Sequence, residues 1–138
     1  MFCKTKIFFL TTALLLFFSV GFPASAQTPR KIVCLGDSIT VRYFQYFRSP
    51  DNLPCTKNAR VSRPTSEMVS KLRTEIIIHN QEGVITGSNF TDLIIMGGTN
   101  DMGDDRSAAR AITNLQTIYS EAKQAGMRVV AVTITPFA

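Results

Sequence analysis

Asp92-Leu93-Ile94-Ile95-Met96-Gly97-Gly98-Thr99-Asn100-Asp101 is the stretch that decides how this chain reads. Its first five residues are short, largely apolar and closed by a glycine pair, the pattern of a buried strand. Gly97-Gly98 lets the backbone turn tightly, and Asn100 can then aim its carboxamide across the carboxyl end of that strand. Working outward, Lys31-Ile32-Val33-Cys34-Leu35 is a second buried strand, ended by Gly36. Arg128 to Thr135 is a third, β-branched and stopped by Pro136. Asn58 to Ser62 is a weaker candidate.

Helical patterns lie between these strands. Ile39 to Phe47 forms a short helix before the turn cluster Ser49-Pro50-Asp51-Asn52. Pro64-Thr65 opens another to about Asn80, with Thr65 as N-cap and Met68, Val69, Leu72 and Ile76 at helical spacing. Gly83 and Gly87 mark the loop that follows. The clearest helix runs from Asp105 to Ala125, with Ile112, Leu115, Ile118, Tyr119 and Ala122 on one stripe and Gly126 at C′. Strands alternating with helices of this length imply βαβ units and a parallel sheet. Such sheets carry their working residues in loops at the carboxyl ends of strands. Two features sit at such ends: Gly36-Asp37-Ser38 and Gly97 to Asp101.

The chain has 138 residues, enough for one domain. Residues 1–26 read as an export signal: Lys4 and Lys6, an apolar run from Ile7 to Phe22, then Ala24-Ser25-Ala26 as a cleavage site. The apolar run falls short of the ~20 residues that span a bilayer, so no stable membrane anchor is expected after cleavage. Cys3 precedes the run and is not placed as a lipoprotein cysteine. The expected domain is 27–138, 112 residues, with a modest core. Lys4 and Lys6 belong to the signal, so 13 basic residues face 10 acidic ones, about +3 for the mature chain. The basic residues (Arg30, Arg42, Arg60, Arg110 and Arg128 among them) are scattered, which argues against nucleic acid as a partner. Export permits a disulfide between Cys34 and Cys55. Their positions in the predicted strands argue against one, leaving a buried Cys34 and an incidental Cys55.

Ser38 follows a strand and a glycine and opens a helix. Its hydroxyl is exposed there, and its own N–H points out with the helix N-terminal amides, where it can stabilise an oxyanion. The plainer reading is a cap by Ser38 or Asp37. Asn100 can donate to the same oxyanion, or simply make an Asx-turn. Asp101 to Asp105 reads as serving the next helix, with Asp104 or Asp105 near its positive end. His79, the only histidine, falls at the end of a predicted helix and reads as a solvated residue.

Taken together, the two blocks point to a family. Val33 to Thr40 resembles the first block of the SGNH (GDSL-like) hydrolases, and Asp92 to Asp101 resembles the third. Thr133-Ile134-Thr135-Pro136-Phe137 is similar to the strand that follows in that family. The resemblance implies a flavodoxin-like three-layer α/β/α fold, with its C-terminal part missing, and ester hydrolysis through an acyl-enzyme. It makes Ser38 the nucleophile, with its amide and Asn100 as oxyanion donors and Asp37, Gly98 and Asp101 in support. Two departures stand out. Arg63, in Asn58 to Thr65, occupies the place of the glycine whose N–H completes the oxyanion hole; a donor needing positive φ would be lost there. The sequence also ends at Ala138 before an Asp-x-x-His block, so no catalytic base is identified.

The expected protein is therefore an exported, secreted or periplasmic hydrolase of acyl or acetyl esters, weak or inactive as this chain alone. Its expected partner is a small ester or an acylated glycan, with no cofactor and no metal. The competing readings are a fragment of a longer esterase and a non-catalytic module in which Arg63 meets an acidic ligand. A nucleotide-binding domain is disfavoured, because no glycine-rich phosphate loop follows the first strand. Asn89-Phe90-Thr91 is a formal glycosylation acceptor.

Overall fold

Two short strands with near-continuous apolar sequence, Ile32–Gly36 and Asp92–Met96, can be satisfied only if both of their faces are covered, and the chain does this with helical crossovers. The computed structural model describes residues 29–46, 54–102 and 108–132. The export signal, the turn cluster 49–52, Asp104 and Asp105, and residues 133–138 lie outside the described residues. Strand β1 is Ile32–Gly36, followed by helix α1, Ser38–Tyr43, and a 3₁₀ turn, Phe44–Tyr46. Strand β2 is Cys55–Ala59, and α2 is Thr65–Lys71, continued by a π-helical turn at Leu72–Ile76. A hairpin of β3 (Ile77–His79) and β4 (Ile85–Ser88) leads into β5, Asp92–Met96. A 3₁₀ turn at Thr99–Asp101 precedes α3, Ala108–Gln124, and β6 is Arg128–Ala131.

The main sheet is parallel, in the order β2-β1-β5-β6. The protein is thus α/β, a parallel sheet flanked by helices. From β1 the chain crosses to β2 on one side; from β5 it crosses to β6 on the other. Right-handed crossovers in opposite directions put their helices on opposite faces. The packing agrees. Val33, Leu35, Leu93 and Ile95 meet Met68, Leu72 and Ile76 of the α2 segment and Ile118 and Ala122 of α3. On the reverse face, Ile32 and Cys34 pack with Cys55, Phe44 and Ile94. The change of direction falls between β1 and β5, whose carboxyl ends Gly36 and Met96 lie side by side. A parallel sheet opens a crevice at such a point.

Several expectations are corrected. The predicted helix to Asn80 stops at Ile76. Three consecutive β-branched residues, Ile76 to Ile78, lose rotamer freedom in a helix and suit a strand, and the last two enter the hairpin. His79 therefore lies in β3. The loop expected around Gly83 and Gly87 is mostly hairpin. Asn80 Oδ1 accepts from the amides of Glu82 and Val84, Gly83 takes φ +80° in the turn, and Gly87 is inside β4. Pro64, not Thr65, occupies the N-cap position of α2. Ile112 is 55% exposed, so it falls off the predicted core stripe of α3.

The strand expected at Asn58 to Ser62 begins three residues earlier, at Cys55. It is a polar segment that becomes a strand by pairing with β1 at the sheet edge; that context outweighs its propensity. Because Cys55 pairs with Ile32, it comes within one diagonal step of Cys34 on the same face. The Cα atoms are 5.9 Å apart, and Cys34 and Cys55 form a disulfide. The sequence reading against it fails on that strand boundary.

Asp92 fastens the amino edge. It is almost wholly buried, and Arg30 and Arg128 both pair with its carboxylate while the Thr91 hydroxyl donates to it. These contacts join the segment before β1 to β5 and β6. Burial pushes the Asp92 carboxyl up, but the bonds from Arg30, Thr91 and Arg128 outweigh that and hold it below its ordinary value.

Two outcomes follow. Reduction of Cys34–Cys55, which closes a separation of 21 residues, is expected to lower stability by about 3 kcal/mol in urea unfolding, and Cys34→Ser with Cys55→Ser to reproduce the reduced midpoint. For Asp92, a depressed carboxyl gives stability that is present above its unfolded pKa and lost as pH falls through the folded one. Asp92→Asn should therefore cost about 1–3 kcal/mol at neutral pH and flatten the acid limb of a stability-against-pH curve.

Candidate active site

Gly36 ends β1 where three pieces of backbone converge. A side-chain carbon there would sit 1.9 Å from Thr40 Oγ1 and 2.8 Å from the Met96 carbonyl oxygen, so only glycine fits between α1 and β5. Asp37 then caps α1, its Oδ1 accepting from the Ile39 amide at 2.9 Å. This resolves the choice left by the sequence: Asp37 is the cap and Ser38 is the first helical residue. The Ser38 hydroxyl is half-buried and has no hydrogen-bond partner among the described residues. Asp37 is fully buried, and its second oxygen, Oδ2, has no partner. Burial raises the Asp37 carboxyl above its ordinary value, the charge of Asp101 adds to that, and backbone amides including Ile39 and Thr40 oppose it.

Across the crevice, Gly98 takes φ +115°, a conformation open to glycine, and turns the chain into the 3₁₀ turn that carries Asn100. The Asn100 carboxamide is half-buried, and its Nδ2 donates to the Arg63 carbonyl at 3.2 Å. That is a long-range contact rather than an Asx-turn. Asp101 is also reassigned. Its fully buried carboxylate does not serve the next helix; Oδ2 accepts from the Thr65 amide at 2.9 Å and Oδ1 from the Thr65 hydroxyl at 2.8 Å. Asp101 thus caps the start of α2 from another loop. Asn114 of α3 donates to the same Thr65 hydroxyl at 2.9 Å. Thr65 and Asn114 carried no sequence signal for this, because only the packing of α2 against α3 joins them.

Ser38 and Asn100 therefore stand off the carboxyl ends of adjacent strands, two residues beyond Gly36 and four beyond Met96, and neither is hidden in the interior. Arg63 departs from its expected part. The positive φ of this turn belongs to Ser62, at 58°, and not to Arg63, so the main-chain N–H of Arg63 needs no left-handed backbone. Its guanidinium is buried and committed to Asn58 and Glu67, which removes the cation that an acidic ligand would have used. His79 lies at the far end of the molecule. Thr65 is tied to the carboxyl edge, whereas Ile76 bonds to Ser88 and Asn89 just before β5 begins. Seven α-helical residues at ~1.5 Å each, and the π-helical turn after them, put more than about 10 Å between those ends.

Beside the Gly97-Gly98-Thr99 turn lies an apolar groove of about 470 Å³, bounded by Ile95, Leu115, Tyr119 and Val132. Among the described residues there is no group of three or more His, Cys, Asp or Glu side chains that could hold a metal ion.

Comparison with known proteins adds the fold and little more. No family model matches the chain. No curated protein matches it either. A crystal structure of a putative acylhydrolase from Bacteroides fragilis is similar to it, with a TM-score of 0.58 at 15% identity over 76% of this chain. The chain spans about half of that protein's length, 48% of it. This is a likeness of fold, and it agrees with the α/β sheet described above.

The clasp at Asp101 has a measurable consequence. Thr65→Ala leaves the Asp101 Oδ1 and the Asn114 amide without their shared partner, and should cost about 1–3 kcal/mol in thermal or urea unfolding. Thr65→Ser, which keeps the hydroxyl, should recover most of that loss.

Proposed function

We propose that residues 29–132 carry the nucleophile and oxyanion side of an SGNH-type serine ester hydrolase acting on acyl or acetyl esters. The observation that supports this reading is that the carboxyl ends of β1 and β5 lie side by side, with a hydroxyl without a protein partner two residues beyond one and a carboxamide held by a neighbouring turn four residues beyond the other. In this reading Ser38 Oγ attacks the ester carbonyl carbon, and the carbonyl oxygen becomes an oxyanion. The Ser38 amide and Asn100 Nδ2 donate to it, with the Arg63 main-chain N–H as a third donor. The bond to the alcohol oxygen breaks, the alcohol leaves with a proton, and water cleaves the acyl-enzyme.

A serine hydroxyl needs a base to take its proton. The carboxyl oxygen of neighbouring Asp37 that is hydrogen-bonded is engaged by the Ile39 amide as the helix cap, and the histidine, His79, is at the other edge. In this reading no histidine base is in place beside Ser38 among the described residues, and turnover by this chain is expected to be slow. The substrate class is a small ester or an acylated glycan. Export fits the disulfide, since such bonds persist outside the reducing cytosol, and it fits the signal-like residues 1–26.

The test is p-nitrophenyl acetate hydrolysis by the purified chain. Any turnover is expected to be weak, to vanish in Ser38→Ala and to fall about 10²–10³-fold in Asn100→Ala. Turnover that survives Ser38→Ala would sink the assignment of the nucleophile. Fast turnover that depends on Ser38 would instead overturn the expected weakness of the chain.

A further inference from the structure

We propose that Arg63 is a positioning residue for the oxyanion side of this site, holding the turn whose main-chain carbonyl orients the Asn100 carboxamide. The proposal rests on the ester-hydrolase reading above.

The turn is one that must be held in place. Ser62 takes φ 58°, a left-handed conformation that a residue with a side chain adopts only under the constraint of its surroundings. Arg63 supplies that constraint. Its side chain is only 6% exposed although its charge is permanent. A guanidinium is buried at a cost that only close partners offset. Nη1 donates to the Asn58 carbonyl at 2.8 Å and to Asn58 Oδ1 at 2.9 Å. Nε stands 3.3 Å from Glu67 Oε1, near enough for an ion pair though off the line of a hydrogen bond. One side chain therefore joins the end of β2, the strained turn and the first turns of α2.

What the turn presents to the crevice is the Arg63 carbonyl, which accepts from Asn100 Nδ2. A carboxamide nitrogen has two N–H groups. One is spent on Arg63; the second stays available for a substrate oxygen, its direction fixed by the first. Asn58 pairs with Leu35, next to Gly36, so the same clamp ties the turn to the strand end that leads into Ser38. Lysine cannot reproduce this, because a single ammonium on a flexible stem lacks the planar fork.

The experiment uses phenylboronic acid and the whole chain labelled with ¹⁵N. Ser38 Oγ adds to the trigonal boron, its proton passes to the buffer, and the tetrahedral boronate places an anionic oxygen where the oxyanion forms. No catalytic base is required. Wild type is expected to bind in a Ser38-dependent way, with the Asn100 side-chain resonances moving on titration. Arg63→Ala and Arg63→Lys are expected to weaken binding about tenfold or more and to shift the Asn100 resonances before any boronate is added. Ile118→Val, a core change away from the turn, should leave affinity unchanged although it lowers the melting temperature. Should Arg63→Ala fail to fold, Arg63→Lys decides: weakened binding supports the proposal and wild-type affinity overturns it. Wild-type affinity in the Arg63 variants with none in Ser38→Ala overturns the role of Arg63 alone. Absence of Ser38-dependent binding in wild type overturns the role of Arg63 and the hydrolase reading together.

Discussion

The buried carboxylate of Asp101, bonded to both the amide and the hydroxyl of Thr65, is the constraint on which the carboxyl edge of this protein depends. A carboxylate without solvent must find donors. Here it finds them on a helix start 36 residues earlier in the chain. That choice joins the loop after β5 to the loop after β2. Asn114 adds α3 to the same hydroxyl, so three elements meet at one oxygen. With those loops joined, Asn100 lies against the Arg63 carbonyl, to which its Nδ2 donates.

The two edges of the sheet have different work. At the amino edge, Asp92 is surrounded by arginines and a hydroxyl, and its carboxyl is held low. Both of its oxygens accept from these groups. At the carboxyl edge, Asp37 is buried, held high, and has an oxygen with no partner, while Ser38 beside it is half-buried with a free hydroxyl. A buried carboxyl oxygen without a partner thus distinguishes the carboxyl edge from the paired carboxylate at the amino edge. The likeness to the structure of a putative acylhydrolase speaks to the fold alone.

The reverse face of the sheet is held by different means. The main core lies under α2 and α3, whereas the smaller cluster on the other face is built around Ile32, Cys34 and Cys55. The disulfide there takes over part of what a larger apolar layer would provide. It also fixes β2, a polar edge strand with little propensity of its own, to the centre of the sheet.

Strand β5 and the glycine pair after it were legible in the sequence, because an apolar run of five residues between polar and glycine boundaries has few alternatives. So were β1, most of α3, and the placement of Ser38 and Asn100 at strand ends, which follows from the alternation of strand and helix. Other features depended on residues distant in sequence. The start of β2 is set by pairing with β1, and with it the disulfide. The end of α2 is set by a hairpin that competes for Ile77 and Ile78. The roles of Asp101 and Arg63 are set by Thr65, Asn114, Asn58 and Glu67, whose parts in these contacts carry no local signal. Periodicity and turn chemistry act over a few residues, so the sequence by itself determined which segments become strands and helices and which polar residues stand at their ends. Hydrogen bonds to buried charges act between segments, so only the tertiary structure decided which of those residues face one another and which merely hold the others in place.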